Sequence, residues 1–214
     1  MSAVAPAWSP SEQQARESRL WRFIQDHDCA TYADLCRKAA KEPEWFWDAL
    51  VNELGIVWST PYDDVMDTSA GIPFTRWFPG GRLNAYETAV LRNRKADPDR
   101  LAIIAETENG ATRQLTYAEL EAAVERTAAG LRSIGVERGV AVGLYLPLVI
   151  ENAVALLAIT KLGAIAVPLF SGFGAEAIRQ RLSDAQARVL ITADGATRRG
   201  KPVPMKPIAE QAIA

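Results

Sequence analysis

The sequence is short of the residues that announce metal or disulfide chemistry. It holds two cysteines, Cys29 and Cys36, and a single histidine, His27. A structural zinc site takes four ligands, which these cannot easily supply, and no carboxylate cluster accompanies the turn-like Asp63-Asp64 pair, so no metal site is expected. So few cysteines in 214 residues read as reduced thiols, which suits a cytoplasmic protein. Charge of one sign is also missing: the net is −2, which gives no global pull toward nucleic acid or an anionic membrane. The opening "MSAVAPAWSPSEQQARESR" has no basic stretch followed by an apolar one, so no signal peptide is expected. The longest apolar run, "AVALLAI" at 153–159, falls far short of the ~20 residues that span a bilayer. Nucleophile elbow, HExxH and Walker loop are all absent, and no catalytic residue is assigned.

What is present divides near residue 93. The first part is predicted to be helical and rich in caps. "SPSE" at 9–12 offers Ser9 as N-cap with Pro10 at the first helical position, and "TYAD" at 31–34 repeats the device with Thr31 and Asp34. "PEWFWDALVNELG" runs from Pro43 to Gly55, with Phe46, Leu50 and Leu54 on one face. Its Trp45 and Trp47 are expected to pack rather than to stack on bases, since no basic groove flanks them. Residues 59–84 carry loop signals throughout, ending in the stiff turn "WFPGGRLN" at 77–84.

Past residue 100 the pattern becomes α/β. "LAIIAET" and "TRQLTY" flank a hairpin turn at Asn109-Gly110, and "TYAE" at 116–119 opens a helix striped by Leu120, Val124, Leu131 and Ile134. Strand "VAVGLYL", helix "LVIENAVALLAITKLG", strand "AIAVPLF", helix "GAEAIRQRLSDA" and strand "ARVLITAD" follow. Strands alternating with helices of this length predict a parallel sheet covered on both faces. The expected organisation is a helical arm and ordered linker at 1–93, then an α/β subdomain at 94–214 that ends partway through a helical pattern.

Two loops could bind a ligand. "FSGFGAEA" at 170–177 carries Gly172-x-Gly174-x-x-Ala177 after a strand and before a helix, with Asp194 about twenty residues on. This fits a dinucleotide fingerprint on paper, but that fingerprint belongs in a first βα turn and two such units precede this one. That position favours an unliganded glycine-rich turn over a nicotinamide or flavin site. "TRRGK" at 197–201 places Arg198, Arg199 and Lys201 around Gly200 at the carboxyl edge of the sheet. Such a cluster suits phosphate groups, or it is a solvated basic loop.

The wording resembles that of a known family. "EPEWFWDALVNELGIVWSTPYDDVMD" followed by "WFPGGRLN" is similar to the N-terminal arm of AMP-forming acetyl-CoA synthetases and their short-chain acyl relatives. "LTYAEL", "YLPLVIENAVALLAITKLGAIAVPLFSGFGAEAIRQRLSDAQARVLITAD" and "RRGK" resemble the first subdomain of the same adenylate-forming enzymes. The resemblance spans residues 30–214. It implies that carboxylate and ATP give an acyl-adenylate and pyrophosphate, and that coenzyme A then yields the thioester and AMP. It further implies that Phe170, Ser171 and Gly172 lie against coenzyme A, while the Arg198, Arg199, Gly200 and Lys201 loop meets its phosphates. ATP and Mg would be bound by the full-length enzyme outside these residues, where the family's phosphate loop and lysine lie. "TAVLRN" at 88–93 and Val140 depart from the family's usual wording, which leaves the acyl group open. The chain is thus expected to be the N-terminal portion of an acyl-CoA synthetase, inactive alone and able to self-associate. A stand-alone coenzyme A- or nucleotide-binding module and a dinucleotide-binding oxidoreductase half are the alternatives.

Overall fold

The computed structural model describes residues 7–214 except Asn109, with Arg198 described by its backbone alone. Two compact units emerge: residues to Ile56 with Thr60–Arg82, and Val57–Ser59 with Leu83–Ala214.

The first unit holds α1 (Glu12–Glu17), α2 (Arg19–Asp26), α3 (Tyr32–Lys41) and α4 (Pro43–Glu53). The first cap sits two residues later than "SPSE" suggests. Ser11 accepts from the Gln14 N–H while the Gln14 side chain accepts from the Ser11 N–H. That reciprocal pair satisfies two orphan groups at once, which Ser9 with Glu12 does not achieve. Thr31 does cap α3, but Asp34 accepts from the Thr31 hydroxyl rather than from its backbone. Phe23, Ile24, Cys29 and Leu35 form the small core, with Trp45, Phe46 and Ala49 packed on it. His27 ends α2, its ring edge-on to Phe23 and Trp45. The tryptophans pack: Lys38 lies 3.7 Å over Trp45, and Trp47 meets Trp77.

Residues 59–84 are more regular than a loop. β1 (Met66–Asp67) and β2 (Arg76–Trp77) pair antiparallel across a 3₁₀ turn at Ile72–Phe74. The stiff turn that follows is held from both sides. Phe78 donates to the Val65 carbonyl, Asp63 to the Pro79 carbonyl, and Thr60 and Arg82 exchange both backbone bonds. Gly80 takes φ +80 with the Asp63 carboxylate where a Cβ would go, so a side chain there meets backbone strain and must displace Asp63.

In the second unit, Asn84 donates to the Lys161 carbonyl and accepts from the Tyr86 N–H. A π-helical turn at Glu87–Leu91 continues into α5 (Arg92–Ala96). The hairpin β3 (Leu101–Glu106) and β4 (Thr112–Thr116) follows, and its Asn109 lies outside the described residues. α6 (Tyr117–Ser133) opens on the expected Thr116/Glu119 capping box. It buries Leu120, Val124, Ala128 and Leu131, but Ile134 does not join the stripe. Ile134 is the C-cap and stands exposed, because the helix has ended before its turn toward the core.

β5 (Ala141–Tyr145), α7 (Ile150–Lys161), β6 (Ile165–Pro168), α8 (Ala175–Asp184) and β7 (Val189–Thr192) complete a parallel sheet in the order β6-β5-β7. Central β5 is buried at every position. Its residues alternate between two cores, as the period of a strand requires. Val142 and Leu144 join α6 and α7 on one face. Tyr145 joins α8 and α9 (Met205–Ile213) on the other. Gly143 leaves room on that second face for Leu182 and Leu190, which would stand 2.5 and 2.9 Å from an added Cβ. The fold is therefore the predicted α/β arrangement with a parallel, doubly covered sheet.

"TRRGK" is not an open loop. β8 (Gly195–Arg198) and β9 (Lys201–Pro204) form a tight antiparallel hairpin ahead of α9. Arg199 and Gly200 both take positive φ, 52 and 71, the arrangement that lets a two-residue turn follow the strand twist.

Candidate functional site

The glycine-rich turn leaves the carboxyl end of β6 and enters α8. Leu169 anchors it in the core and donates its N–H to the Leu144 carbonyl. Phe170 then stands 57% exposed, its ring 5.7 Å from that of Phe173 in an edge contact. Gly172 makes this possible: a Cβ there would lie 2.6 Å from the Phe170 ring. Arg181 covers Phe173 from α8 at 4.4 Å. The turn is thus an aromatic shelf with a cation behind it, and not a bare phosphate cradle.

Tyr145 supports the shelf from below. The residue is fully buried at the end of β5, and its hydroxyl donates toward the Ser171 carbonyl at 3.3 Å and the Phe173 carbonyl at 3.2 Å. Burial pushes its pKa above the ordinary tyrosine value, which keeps the donor proton in place. The sequence reading missed this residue. Its signal was a tyrosine inside a strand of apolar residues, whose buried hydroxyl must find an acceptor.

The basic hairpin shares that side of the sheet. Its Ala196 and Val203 pack on the cluster that holds Tyr145, Leu169 and Ile178, as Phe173 does. The roots of both predicted loops therefore stand on one apolar floor. The tip is engaged elsewhere: the Arg199 and Gly200 N–H groups donate to the Glu108 carboxylate at 2.9 and 3.1 Å. Lys201 is exposed beside it, and the Arg198 side chain lies outside the described residues. Glu108 was not foreseen, because its partners are 91 and 92 residues away.

A cavity lies apart from both loops. It is a cleft of about 680 Å³ between α6, α7 and the carboxyl ends of β5 and β7, walled by Leu115, Leu146, Ile150, Val154 and Ile191. Arg113 and Glu151 form an ion pair at 2.8 Å on its lining. The hydrogen bond from Arg113 holds the Glu151 carboxyl below the usual range. Among the described residues, none of those selected from sequence lines it. Among the described residues, no group of three or more His, Cys, Asp or Glu could hold a metal ion. No described helix is long and apolar enough to cross a membrane. Cys29 and Cys36 are free thiols, the first buried and the second exposed.

Two family descriptions match in succession. "Acetyl-coenzyme A synthetase N-terminus" matches residues 32–89, and "AMP-binding enzyme" matches residues 90–212. The acetyl-coenzyme A synthetase of Thiobacillus denitrificans is 41% identical over 183 residues, covering 86% of this chain and 28% of that protein. That of Mycobacterium tuberculosis is 44% identical over 184 residues, 85% of this chain and 28% of the relative. Among solved structures, the acetoacetyl-CoA synthetase from Streptomyces lividans superposes with a TM-score of 0.86 at 32% identity. That match covers 98% of this chain and 33% of the other. The chain thus spans about a third or less of the relatives it matches.

Proposed function

The chain belongs to the AMP-binding enzyme family, and from that premise we propose that it is the N-terminal portion of an AMP-forming acyl-CoA synthetase. The observation that carries this reading is the order of the two matches, an acetyl-coenzyme A synthetase N-terminus at 32–89 leading directly into an AMP-binding region at 90–212. In the reaction, a carboxylate oxygen attacks the α-phosphorus of ATP and pyrophosphate leaves. The coenzyme A thiol, losing its proton, then attacks the acyl carbon and AMP departs. Charge on the α-phosphate of the transferring adenylyl group must be stabilised by preorganised donors, a role that Mg would share. These 214 residues contain no Walker-type or Ser/Thr/Gly-rich phosphate loop, so the polypeptide alone is inactive. ATP and Mg are handled by other parts of a longer protein, which works in the cytoplasm.

The contribution of this chain is one wall of the coenzyme A site. Phe170, Ser171 and Gly172 offer an exposed ring and a flat backbone to an adenine or pantetheine surface. Arg198, Arg199, Gly200 and Lys201 meet phosphates. The arm and linker at 1–93 precede the subdomain that carries both loops. Support comes from the aromatic shelf, from the shared apolar floor and from the charge of the hairpin.

Calorimetric titration of coenzyme A into the 214-residue chain tests the site. Charge-assisted contacts to phosphate are worth about 1.5–3 kcal/mol when sheltered and less at an exposed hairpin. Arg198→Ala and Lys201→Ala should each weaken binding several-fold, with the larger effect at low salt. Dephospho-coenzyme A reports how much of the loss belongs to the terminal phosphate. Binding by both variants equal to the parent would reduce the hairpin to a solvated basic face. Pyrophosphate exchange with short carboxylates should stay at background, and substrate-dependent exchange would overturn the inactivity of the chain.

A further inference from the structure

The β8–β9 hairpin turns in two residues, with Arg198 and Lys201 paired at its end and Arg199 and Gly200 both at positive φ. In such a turn the two central N–H groups point away from the ladder and need an outside acceptor. Here a single carboxylate supplies it. Glu108 offers Oε1 to the Arg199 N–H at 2.9 Å and Oε2 to the Gly200 N–H at 3.1 Å. One anion thus spans two consecutive backbone donors, and Arg199 and Lys201 are exposed cations of the same tight turn. The tip has the chemistry of an anion receptor, and its occupant comes from the distant β3–β4 turn.

We propose that Glu108 is the resident anion of this receptor and that a phosphate monoester binds by displacing it. The inference rests on the reading that the hairpin meets coenzyme A phosphates, and it names the residue that regulates their entry. A phosphate monoester presents the same pair of oxygens as a carboxylate. It carries about −1.5 to −2 charge against −1, and a third acceptor oxygen for a neighbouring cation. Lys201 and Arg199 tilt the exchange toward it. Because Glu108 is tethered, it competes at a high effective concentration, so weakly held monoanions are excluded while a phosphate with further contacts enters. Displacement also releases the β3–β4 turn, which couples ligand binding to the motion of that hairpin.

Backbone-amide NMR of the 214-residue chain tests this with two probes, inorganic phosphate and coenzyme A. In Glu108→Gln the competing charge is gone. Phosphate should then move the Arg199 and Gly200 resonances at several-fold lower concentration than in the parent, and coenzyme A should bind several-fold tighter. The Ala196 and Val203 amides report that the hairpin is retained. If they collapse, the parent decides: coenzyme A must shift the Glu108 side-chain carboxylate together with the Gly200 amide. Equal coenzyme A binding by parent and variant, with Lys201→Ala still weakening it, overturns the gate while leaving the coenzyme A site. Phosphate gained at the tip of the variant, with coenzyme A no better than phosphate, supports the gate and overturns the coenzyme A reading. Absence of both probes from the tip in both proteins overturns the two together.

Discussion

Replacing Tyr145 by Phe isolates one hydroxyl and asks how much it stiffens the aromatic shelf. The ring is fully buried and keeps its contacts in the variant, so no cavity opens. Only the oxygen is lost, with its approach to the Ser171 carbonyl at 3.3 Å and the Phe173 carbonyl at 3.2 Å. Both distances exceed the ~2.7–2.8 Å typical of hydroxyl donors, and one proton serves two acceptors. The loss is therefore that of a single neutral bond, about 1 kcal/mol. The turn will not unravel, because Phe173 still donates to Phe170 and Leu169 to Leu144, each at 2.9 Å. It will open more often. About 1 kcal/mol corresponds to a roughly fivefold faster exchange of the Phe173 amide and a melting temperature lower by about 2–4 °C. Hydrogen exchange followed by NMR reads the first, and calorimetry the second. Tyr86→Phe is the control: its hydroxyl reaches Glu125 at 3.4 Å, a partner outside the shelf. Unchanged Phe173 exchange in Tyr145→Phe, or an equal change in Tyr86→Phe, would refute the supporting role of this hydroxyl.

Gly80→Ala should cost more than Gly135→Ala, although both take positive φ, because Asp63 crowds only the first. Each carries about 1–2 kcal/mol of left-handed strain, and equal denaturation midpoints would show that Asp63 swings aside freely. Gly143→Ala should lower stability by about 1–3 kcal/mol through overpacking against Leu182 and Leu190. Thermal melts of a Gly143→Ala/Leu182→Val double variant should recover part of that loss, and no recovery would place the strain elsewhere. Stability should fall as pH rises above about 10, because Tyr86 and Tyr145 have raised pKa values in the fold. Burial is the main cause for both, with the Glu125 and Glu121 charges added at Tyr86. The unfolded chain releases those protons first, so stability is intact below the ordinary tyrosine value and lost above it. A urea midpoint that does not change from about pH 8 to 11 would contradict this. Finally, with Leu148 97% and Ile165 53% exposed, the 214-residue chain should self-associate to cover apolar surface. A strictly monomeric mass by light scattering at high micromolar concentration would show that this surface is tolerated in water.

Much of the organisation can be read along the chain, because it depends on neighbours in sequence. The Thr116/Glu119 capping box, Pro43 at a helix start, Gly55 and Gly135 at helix ends, and the alternation of short apolar strands with helices are local signals. They led to the right elements and the right α/β class. The errors were local too: Ser11 outcompeted Ser9 by pairing with Gln14, and Ile134 fell one position past the end of its helix. Tertiary structure alone decided how the candidate site is built. Phe170 could be placed on a turn from sequence, but not the Tyr145 hydroxyl beneath it or the Arg181 guanidinium behind it. "TRRGK" read as a basic loop, because nothing nearby says that Arg199 and Gly200 turn a hairpin in two residues. The acceptor for their N–H groups, Glu108, lies 91 residues or more away. Sequence specifies which groups need partners, since a buried hydroxyl or an outward-facing amide must be satisfied somewhere. Only the folded chain, which brings distant segments within hydrogen-bond reach, determines which partners those are.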